Sequence, residues 1–285
     1  MTSTNTSARV WMVTGAARGI GLRIVEAALA SGDSVVATSR DAASLRERFA
    51  GNAAVLAVAL DVTDEKQAAT AVAAALERFG RIDVLVNNAG FGLLGAVEEA
   101  SADEVRRLYE TNVFGLLNVT RAALPAMRER RRGHVINISS VGGLRSGPGF
   151  GVYCSTKFAV EGLSEALHAE LAPLGVHVTV VEPGYFRTEF LDGTSLSVSP
   201  RVLADYAPTA GAVREAAVRI NLNQPGDPKR LAQAMLALVA SATPPLRLPL
   251  GTDTLKVIED TQAFVAAETS AWRTLSASTD FPAGE

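Results

Sequence analysis

The chain has 285 residues, 48% hydrophobic and 20% charged, with a formal net charge of −3. That length allows one large domain with a full core, and the near-neutral charge points to neither nucleic acid nor a membrane surface as partner. A lone cysteine, Cys154, excludes an internal disulfide framework and suits a reducing, cytoplasmic setting, while the polar opening MTSTNTSARV lacks a signal-peptide core and no apolar run nears the roughly 20 residues of a membrane span.

The first apolar run, RVWMVT, predicts a strand, and VTGAARGIGLRIVEAALA turns from it into a helix. A Gly32-Asp33 turn leads to a second strand, SVVATS, which ends Thr38-Ser39-Arg40. AAVLAVAL predicts a third strand, EKQAATAVAAALERFG an amphipathic helix, and IDVLVNN a fourth strand. EVRRLYETNVFGLLNVTRAALPAMRERRRG reads as one long helix before the strand GHVINIS. VYCSTKFAVEGLSEALHAEL is a further amphipathic helix, followed by the strand VHVTVVEP, a possible edge strand LRLPL and a final helix.

Unbroken apolar runs suit strands covered on both faces, as in a parallel sheet. Their alternation with helices predicts an α/β fold: a doubly wound parallel sheet with helices on both faces, one domain over residues 1–285. Residues 185–227 break the rhythm with Gly, Pro, Ser and Thr, which predicts a substrate-binding lid.

Gly15, Gly19 and Gly21 lie between the first strand and its helix, where glycines let backbone approach a phosphate and the helix N-terminus attracts its charge. The spacing differs from the common G-x-G-x-x-G, and a tight strand–helix turn would need glycines too. Tyr153 and Lys157, four residues apart on a helix, share one face. A cation about 4 Å from a phenol contributes on the order of 4 kcal/mol at an effective dielectric of about 20, roughly three pKa units. Burial opposes this, so a smaller net drop is expected.

Thr14-Gly15-Ala16-Ala17-Arg18-Gly19-Ile20-Gly21 resembles the cofactor loop of the short-chain dehydrogenase/reductase family. Further matches follow in that family's order: Asp61-Val62, Asn87-Asn88-Ala89-Gly90, Asn112, Ser140, Tyr153 with Lys157, and Pro183-Gly184 with Thr188. The resemblance covers residues 8 to 190 and implies a Rossmann-type NAD(P)-binding fold. It implies a catalytic set of Asn112, Ser140, Tyr153 and Lys157, with Tyr153 as general acid–base. Ser139 competes with Ser140, but side-chain alternation sends the two to opposite faces and the family spacing favours Ser140. Asn112 would distort its helix and hold a water near the lysine. Gly15, Arg18, Gly19, Ile20 and Gly21 would cradle the cofactor phosphates, and Asp61 and Val62 its adenine. Asn88, Ala89 and Gly90 would line the adenosine ribose; Pro183, Gly184 and Thr188, with Tyr153 and Lys157, would hold the nicotinamide end.

An NAD-binding sheet of this kind places an acid at the end of its second strand. Asp33 lies at the wrong end and reads as a turn residue, while Asp41 reads as the cap opening the next helix. Ser39 occupies the acid's position and Arg40 adds a planar donor fork; with Arg18 they favour a 2′-phosphate, hence NADP(H) over NAD(H). Leu144, Phe150, Tyr185, Phe186, Phe190 and Leu191 form the expected pocket wall, which suits a hydrophobic carbonyl or alcohol as the small-molecule substrate. GLRSGPGFGVYCSTKFAVEGLSEAL and VEPGYFRTEF look most like relatives grouped with 17-beta-hydroxysteroid dehydrogenases. A non-catalytic NADPH sensor and a ketoacyl-thioester reductase are the alternatives. Family habit implies a homodimer or homotetramer through the helices carrying Asn112 and Tyr153. His134, His168 and His177 have no spacing for a shared metal and read as structural. RERRRGH at 128–134 reads as cations suiting a helix C-terminus, and Cys154 as a helix-face residue without a role.

Overall fold

The computed structural model describes residues 8–281; residues 1–7, most of the polar opening, lie outside the described residues. Nine strands occur among the described residues. They are β1 (Val10–Val13), β2 (Ser34–Ser39), β3 (Val55–Ala59), β4 (Val84–Asn87), β5 (Gly92–Leu94), β6 (Gly133–Ile138), β7 (Val176–Pro183), β8 (Leu196–Val198) and β9 (Arg247–Leu250). The helices between them are α1 (Gly19–Ala30), α2 (Ala43–Arg48), α3 (Glu65–Phe79), α4 (Ala102–Tyr109), α5 (Leu116–Glu129), α6 (Gly151–Leu171), α7 (Ala212–Ile220), α8 (Pro228–Ala240) and α9 (Thr252–Ala277).

Seven strands form one parallel sheet in the order β3-β2-β1-β4-β6-β7-β9, the doubly wound arrangement expected from the sequence. The strand order reverses between β1 and β4, and such a crevice outside the carboxyl ends is where open α/β sheets take ligands. One face is sealed by α1 and α8 over Trp11, Val35, Val84, Ile136 and Met235. The other carries α3, α5 and α6 over Met12, Leu85, Val119, Val135 and Val178. Consecutive strand residues serve opposite cores, so every position of β1 and β4 is buried, which explains their unbroken apolar runs.

Asp33 is the turn residue the sequence predicts. Its carboxylate accepts from Arg9 N (2.8 Å) and from Trp11 Nε1 (2.8 Å), tying the starts of β1 and β2 together. Asp41 accepts from Ala43 N (2.8 Å) and so caps the entry to α2. The single long helix expected across 104–133 is instead α4 and α5 joined by a widened π turn, Glu110–Gly115, with Asn112 inside it. The histidines serve the scaffold: His134 Nε2 lies 2.9 Å from Thr179 Oγ1 and His168 Nδ1 lies 3.2 Å from Val178 O. His134 also meets His177 edge to face.

A short parallel pair, β5 with β8, has no counterpart in the sequence reading. It fastens the irregular 185–227 segment to the end of β4, with Gly92 N donating to Ser195 O at 2.8 Å. The buried Glu99 fastens it again, accepting from Leu203 N (2.9 Å) and pairing with Arg214 of α7. The final helix α9 leaves the body after about two turns, and Val265, Trp272 and Leu275 are exposed. Among the described residues no helix is long and apolar enough to cross a membrane.

Candidate active site

The glycine loop leaves β1 at Thr14 and enters α1 through backbone that needs glycine. Gly15 (φ 63°) and Gly19 (φ 55°) occupy left-handed backbone that L side chains rarely adopt. At Gly21 a Cβ would lie 2.5 Å from both Asn88 Nδ2 and Gly15 O. Thr14 Oγ1 accepts from Asn88 N and Ala89 N, each at 3.0 Å, and Asn88 Nδ2 donates to Thr14 O (2.9 Å) and Gly15 O (3.1 Å). The loop is thus locked to the end of β4. Asn88 has its amide committed to this lock instead of facing outward toward a ribose, and Ala89 and Gly90 continue the turn beside it.

No side chain caps the N-terminus of α1, which leaves its first N–H groups without a side-chain acceptor. That open helix end, with a loop too tight for any Cβ at Gly21, fits a dinucleotide's diphosphate. Ile20 packs inward on the α1 core, and Thr188 approaches Gly19 from across the crevice. Thr188 Oγ1 also accepts from Phe190 N (3.3 Å), starting a short 3₁₀ turn. Pro183 ends β7, and Gly184 N donates to Leu250 O (2.9 Å) beside the Asp253 carboxylate. Asp61 forms its own turn, accepting from Thr63 N (3.0 Å) and Thr63 Oγ1 (2.8 Å), while Val62 packs against Gly115.

At the second strand's end the Ser39 hydroxyl donates to Asp41 O, and Arg40 makes no hydrogen bond or ion pair with the described residues. Arg18 is placed otherwise than the sequence suggests. Its guanidinium donates to Ser195 Oγ (2.9 and 3.2 Å) and Thr194 O (2.5 Å), bridging the glycine loop to the 185–227 segment.

The four expected catalytic residues converge at the carboxyl end of β6. Ser140 lies just past that strand, and its Oγ accepts from Gly142 N (3.0 Å); a Cβ at Gly142 would lie 3.5 Å from that oxygen and 3.7 Å from the Tyr153 ring, so the two groups face one space. Ser139 points the other way, into a buried space beside Glu161. Lys157 Nζ donates to Ile138 O (2.9 Å) and sits 5.7 Å from the Tyr153 ring centre. Asn112 closes on Phe91, donating to its carbonyl (3.0 Å) and accepting from its N–H (3.1 Å), and it also donates to Thr156 Oγ1 (3.2 Å). Gly90 brings Asn112 and Lys157 together: a Cβ there would lie 3.1 Å from Asn112 Oδ1 and 3.9 Å from Lys157 Nζ.

The electrostatics differ from the expected net drop at the phenol. Burial pushes the Tyr153 phenol well above its ordinary value, with the Ser140 hydroxyl pulling part of the way back. Burial also brings Lys157 down to about 8, opposed by the Glu161 carboxylate. Desolvation dominates because both groups are buried.

The pocket wall is only partly as expected. Phe150 meets the Tyr153 ring edge to face and Phe190 meets it at a tilt, with ring centres 6.1 and 5.7 Å away, and Tyr185 is half exposed nearby. Leu144 lies in the turn before α6, and Leu191 packs with Leu94, Leu196 and Phe150. Phe186 is a correction. It turns away from Tyr153 to pack on the α1 and α8 core and close against Gly226, because neighbours in an extended segment face opposite sides.

Sequence reasoning missed Thr14, whose hydroxyl locks the loop, and the buried Glu161 and Glu182 behind Lys157. The four-residue spacing of Lys157, Glu161 and Glu165 was a visible signal for part of that cluster.

Residues 9–197 match the family described as short chain dehydrogenase. The chain belongs to the short-chain dehydrogenase/reductase family. It is 40% identical to Oxidoreductase BOA17 of Botryotinia fuckeliana over 271 residues, covering 94% of this chain and 98% of that one. It is 38% identical to a 3-ketodihydrosphingosine reductase of Bacteroides thetaiotaomicron, covering 85% and 88%. It is 36% identical to human 17-beta-hydroxysteroid dehydrogenase type 1, covering 84% and 76%. A short-chain dehydrogenase from Streptomyces avermitilis superposes with a TM-score of 0.90 at 44% identity, covering 96% and 100%. A Burkholderia phymatum family member in complex with NAD (27% identity, TM-score 0.77, covering 88% and 92%) and a serine dehydrogenase complexed with NADP+ (28%, 0.72, covering 85% and 94%) share the fold. This short-chain dehydrogenase/reductase is an oxidoreductase that uses a nicotinamide cofactor and acts on small molecules.

Proposed function

We propose that this enzyme is an NADP(H)-dependent carbonyl reductase, reversible as a secondary alcohol dehydrogenase, acting on a hydrophobic ketone or aldehyde. The observation that carries this reading is the convergence of Tyr153, Ser140 and Lys157 at the end of β6, beside the glycine loop. Bound reduced nicotinamide would supply hydride to the carbonyl carbon. Ser140 would donate a hydrogen bond to the carbonyl oxygen as negative charge grows there. Tyr153 would then protonate that oxygen. A phenol held protonated by burial suits this direction, since the alkoxide forming beside it is the stronger base. Lys157 would hold the phenolate left behind, and Asn112 would fix the turn around the lysine through Phe91.

Ser39 and Arg40 support NADP(H): no carboxylate repels a 2′-phosphate there, and the Arg40 fork is uncommitted among the described residues. Phe150, Phe190 and Tyr185 around the phenol support an apolar substrate, as do the relatives named for 3-ketodihydrosphingosine and a 17-beta-hydroxysteroid. The 185–227 segment would act as the lid, joined to the cofactor loop through Arg18. Exposed Phe114 and Phe158 on the helices carrying Asn112 and Tyr153 support assembly into a homodimer or homotetramer through that face. A single buried thiol suits the cytoplasm.

The test is NADPH consumption with a panel of aliphatic, aromatic and steroid ketones, alongside thioester-bound ketoacyl groups. Tyr153→Phe should abolish turnover and leave NADPH affinity nearly intact. Full activity in that variant would refute the acid–base assignment, and tight NADPH binding with no turnover of any ketone would favour a sensor.

A further inference from the structure

The last strand and the start of the last helix reach back to the active-site crevice and bring a carboxylate that the reaction described above leaves without a role. β9 lies parallel to β7, with Val180 opposite Arg247 and Pro183 opposite Leu250. Arg247 anchors it: Nη1 donates to Glu182 Oε1 (2.9 Å) and to Glu161 Oε2, and Nη2 donates to Glu165 Oε1 (2.6 Å). Glu161 and Glu182 are both buried, so β9 is tied to β7 and α6 by a largely desolvated cluster of charges. Leu250 O then accepts from Gly184 N (2.9 Å) and from the buried Thr254 Oγ1 (3.2 Å), which sets the first turn of α9 against Pro183-Gly184-Tyr185.

That first turn carries Asp253, which lies beyond residues 9–197, the stretch that matches the family. An acid at this place ordinarily serves its own helix, through the first N–H groups and the dipole. Asp253 instead accepts from Tyr185 N through Oδ2 (2.7 Å). Its carboxylate is wedged between two glycines. A Cβ at Gly184 would fall onto both of its oxygens, and one at Gly251 would strike Oδ1. The charge is not neutralised, since Asp253 makes no ion pair among the described residues. Lys256, on the same helix, is spent on Asp260 (2.7 Å), and Arg187 donates to Gln224 O (3.1 Å). The field of the carboxylate reaches the Tyr185 phenol, which burial raises first and Asp253 raises further.

We propose that Asp253 is a positioning residue for the nicotinamide end of the cofactor: it fixes the 183–185 turn, and its unpaired charge makes the site hold the oxidised, cationic ring more tightly than the reduced, neutral one. The inference rests on the reading of Pro183, Gly184 and Thr188 as the nicotinamide-holding turn. It gives Gly184 a reason that lies within the protein, because the glycine admits the carboxylate. Hydride transfer changes the charge of the ring by one unit. A fixed carboxylate beside that turn therefore distinguishes the two cofactor forms, as a neutral acceptor in its place would not.

The test is titration of NADP+ and NADPH by calorimetry, with NAD+ and NADH as a second pair carrying the same ring charges. Asp253→Asn keeps an acceptor for Tyr185 N and removes the charge. It should weaken NADP+ about fivefold and leave NADPH within about twofold. Asp253→Ala loses acceptor and charge together, and should weaken NADPH about tenfold and NADP+ by more. Gly184→Ala, which displaces the carboxylate, should also weaken both forms about tenfold. In the double variant the new methyl takes the space that Asp253 vacates, so its loss should stay close to that of Asp253→Ala alone. If Gly184→Ala does not fold, the two Asp253 variants still decide. Equal changes for both forms in Asp253→Asn, or additive losses in the double variant, would overturn the inference and leave the reductase reading intact. Binding of none of the four cofactors by the unaltered enzyme would remove both.

Discussion

Gly21→Ala tests the lock between the cofactor loop and β4. The added Cβ would lie 2.5 Å from Gly15 O and from Asn88 Nδ2, so backbone and amide must both move. Asn88 Nδ2 would lose its bonds to Thr14 O and Gly15 O, about 1 kcal/mol each. Forcing a methyl into packed surroundings costs a further 1–3 kcal/mol or so, giving about 3–5 kcal/mol in total. For a chain of this size about 2 °C is lost per kcal/mol, so Tm should fall by roughly 6–10 °C. Because Gly15 moves too, NADPH affinity should drop at least tenfold by fluorescence titration. Gly147→Ala is the control: that glycine faces open space in the turn before α6 and has no left-handed backbone, so Ala should leave Tm nearly unchanged. An unchanged Tm and unchanged NADPH affinity in Gly21→Ala would refute the lock.

Arg40→Ala should weaken NADPH binding by roughly 10- to 100-fold, the worth of a charge-assisted hydrogen bond, and leave NADH nearly unchanged. Ser39→Asp should move preference toward NADH; equal losses for both cofactors would remove Arg40 from the phosphate site. His134 is the pH-sensitive part of the scaffold. Burial lowers it from 6.5 to about 3, so it stays neutral in the fold yet takes up a proton on unfolding below pH 6.5. Its contribution is fully present above 6.5 and is lost as pH falls toward 3, about 2 kcal/mol by pH 5. Denaturant midpoints at pH 7 and pH 5 should diverge less in His134→Gln than in the unaltered chain, and an equal divergence would exclude the histidine.

Much of the fold is legible in short stretches. Strands buried on both faces need continuous apolar residues, so RVWMVT, IDVLVNN and VHVTVVEP announce themselves without tertiary information. The glycine loop is legible for a similar reason, because Gly15, Gly19 and Gly21 are demanded by backbone only a few residues away. The small β5–β8 pair was not legible: its strands are only three residues long and lie about a hundred residues apart.

Side-chain direction and charge state depend on what the chain brings alongside. Tyr185 and Phe186 look alike as pocket residues, but only the neighbouring Gly226 and the α8 core decide that Phe186 turns inward. Arg18 reads as a phosphate ligand until Thr194 and Ser195 arrive from far along the chain to take its guanidinium. By itself the sequence determined the sheet and the cofactor loop, because both rest on local periodicity or spacing, whereas the expected reacting groups followed from a family resemblance. Tertiary structure decided that burial outweighs the ammonium at Tyr153 and that two acids stand behind Lys157, because desolvation and long-range charge exist only once distant segments are packed together.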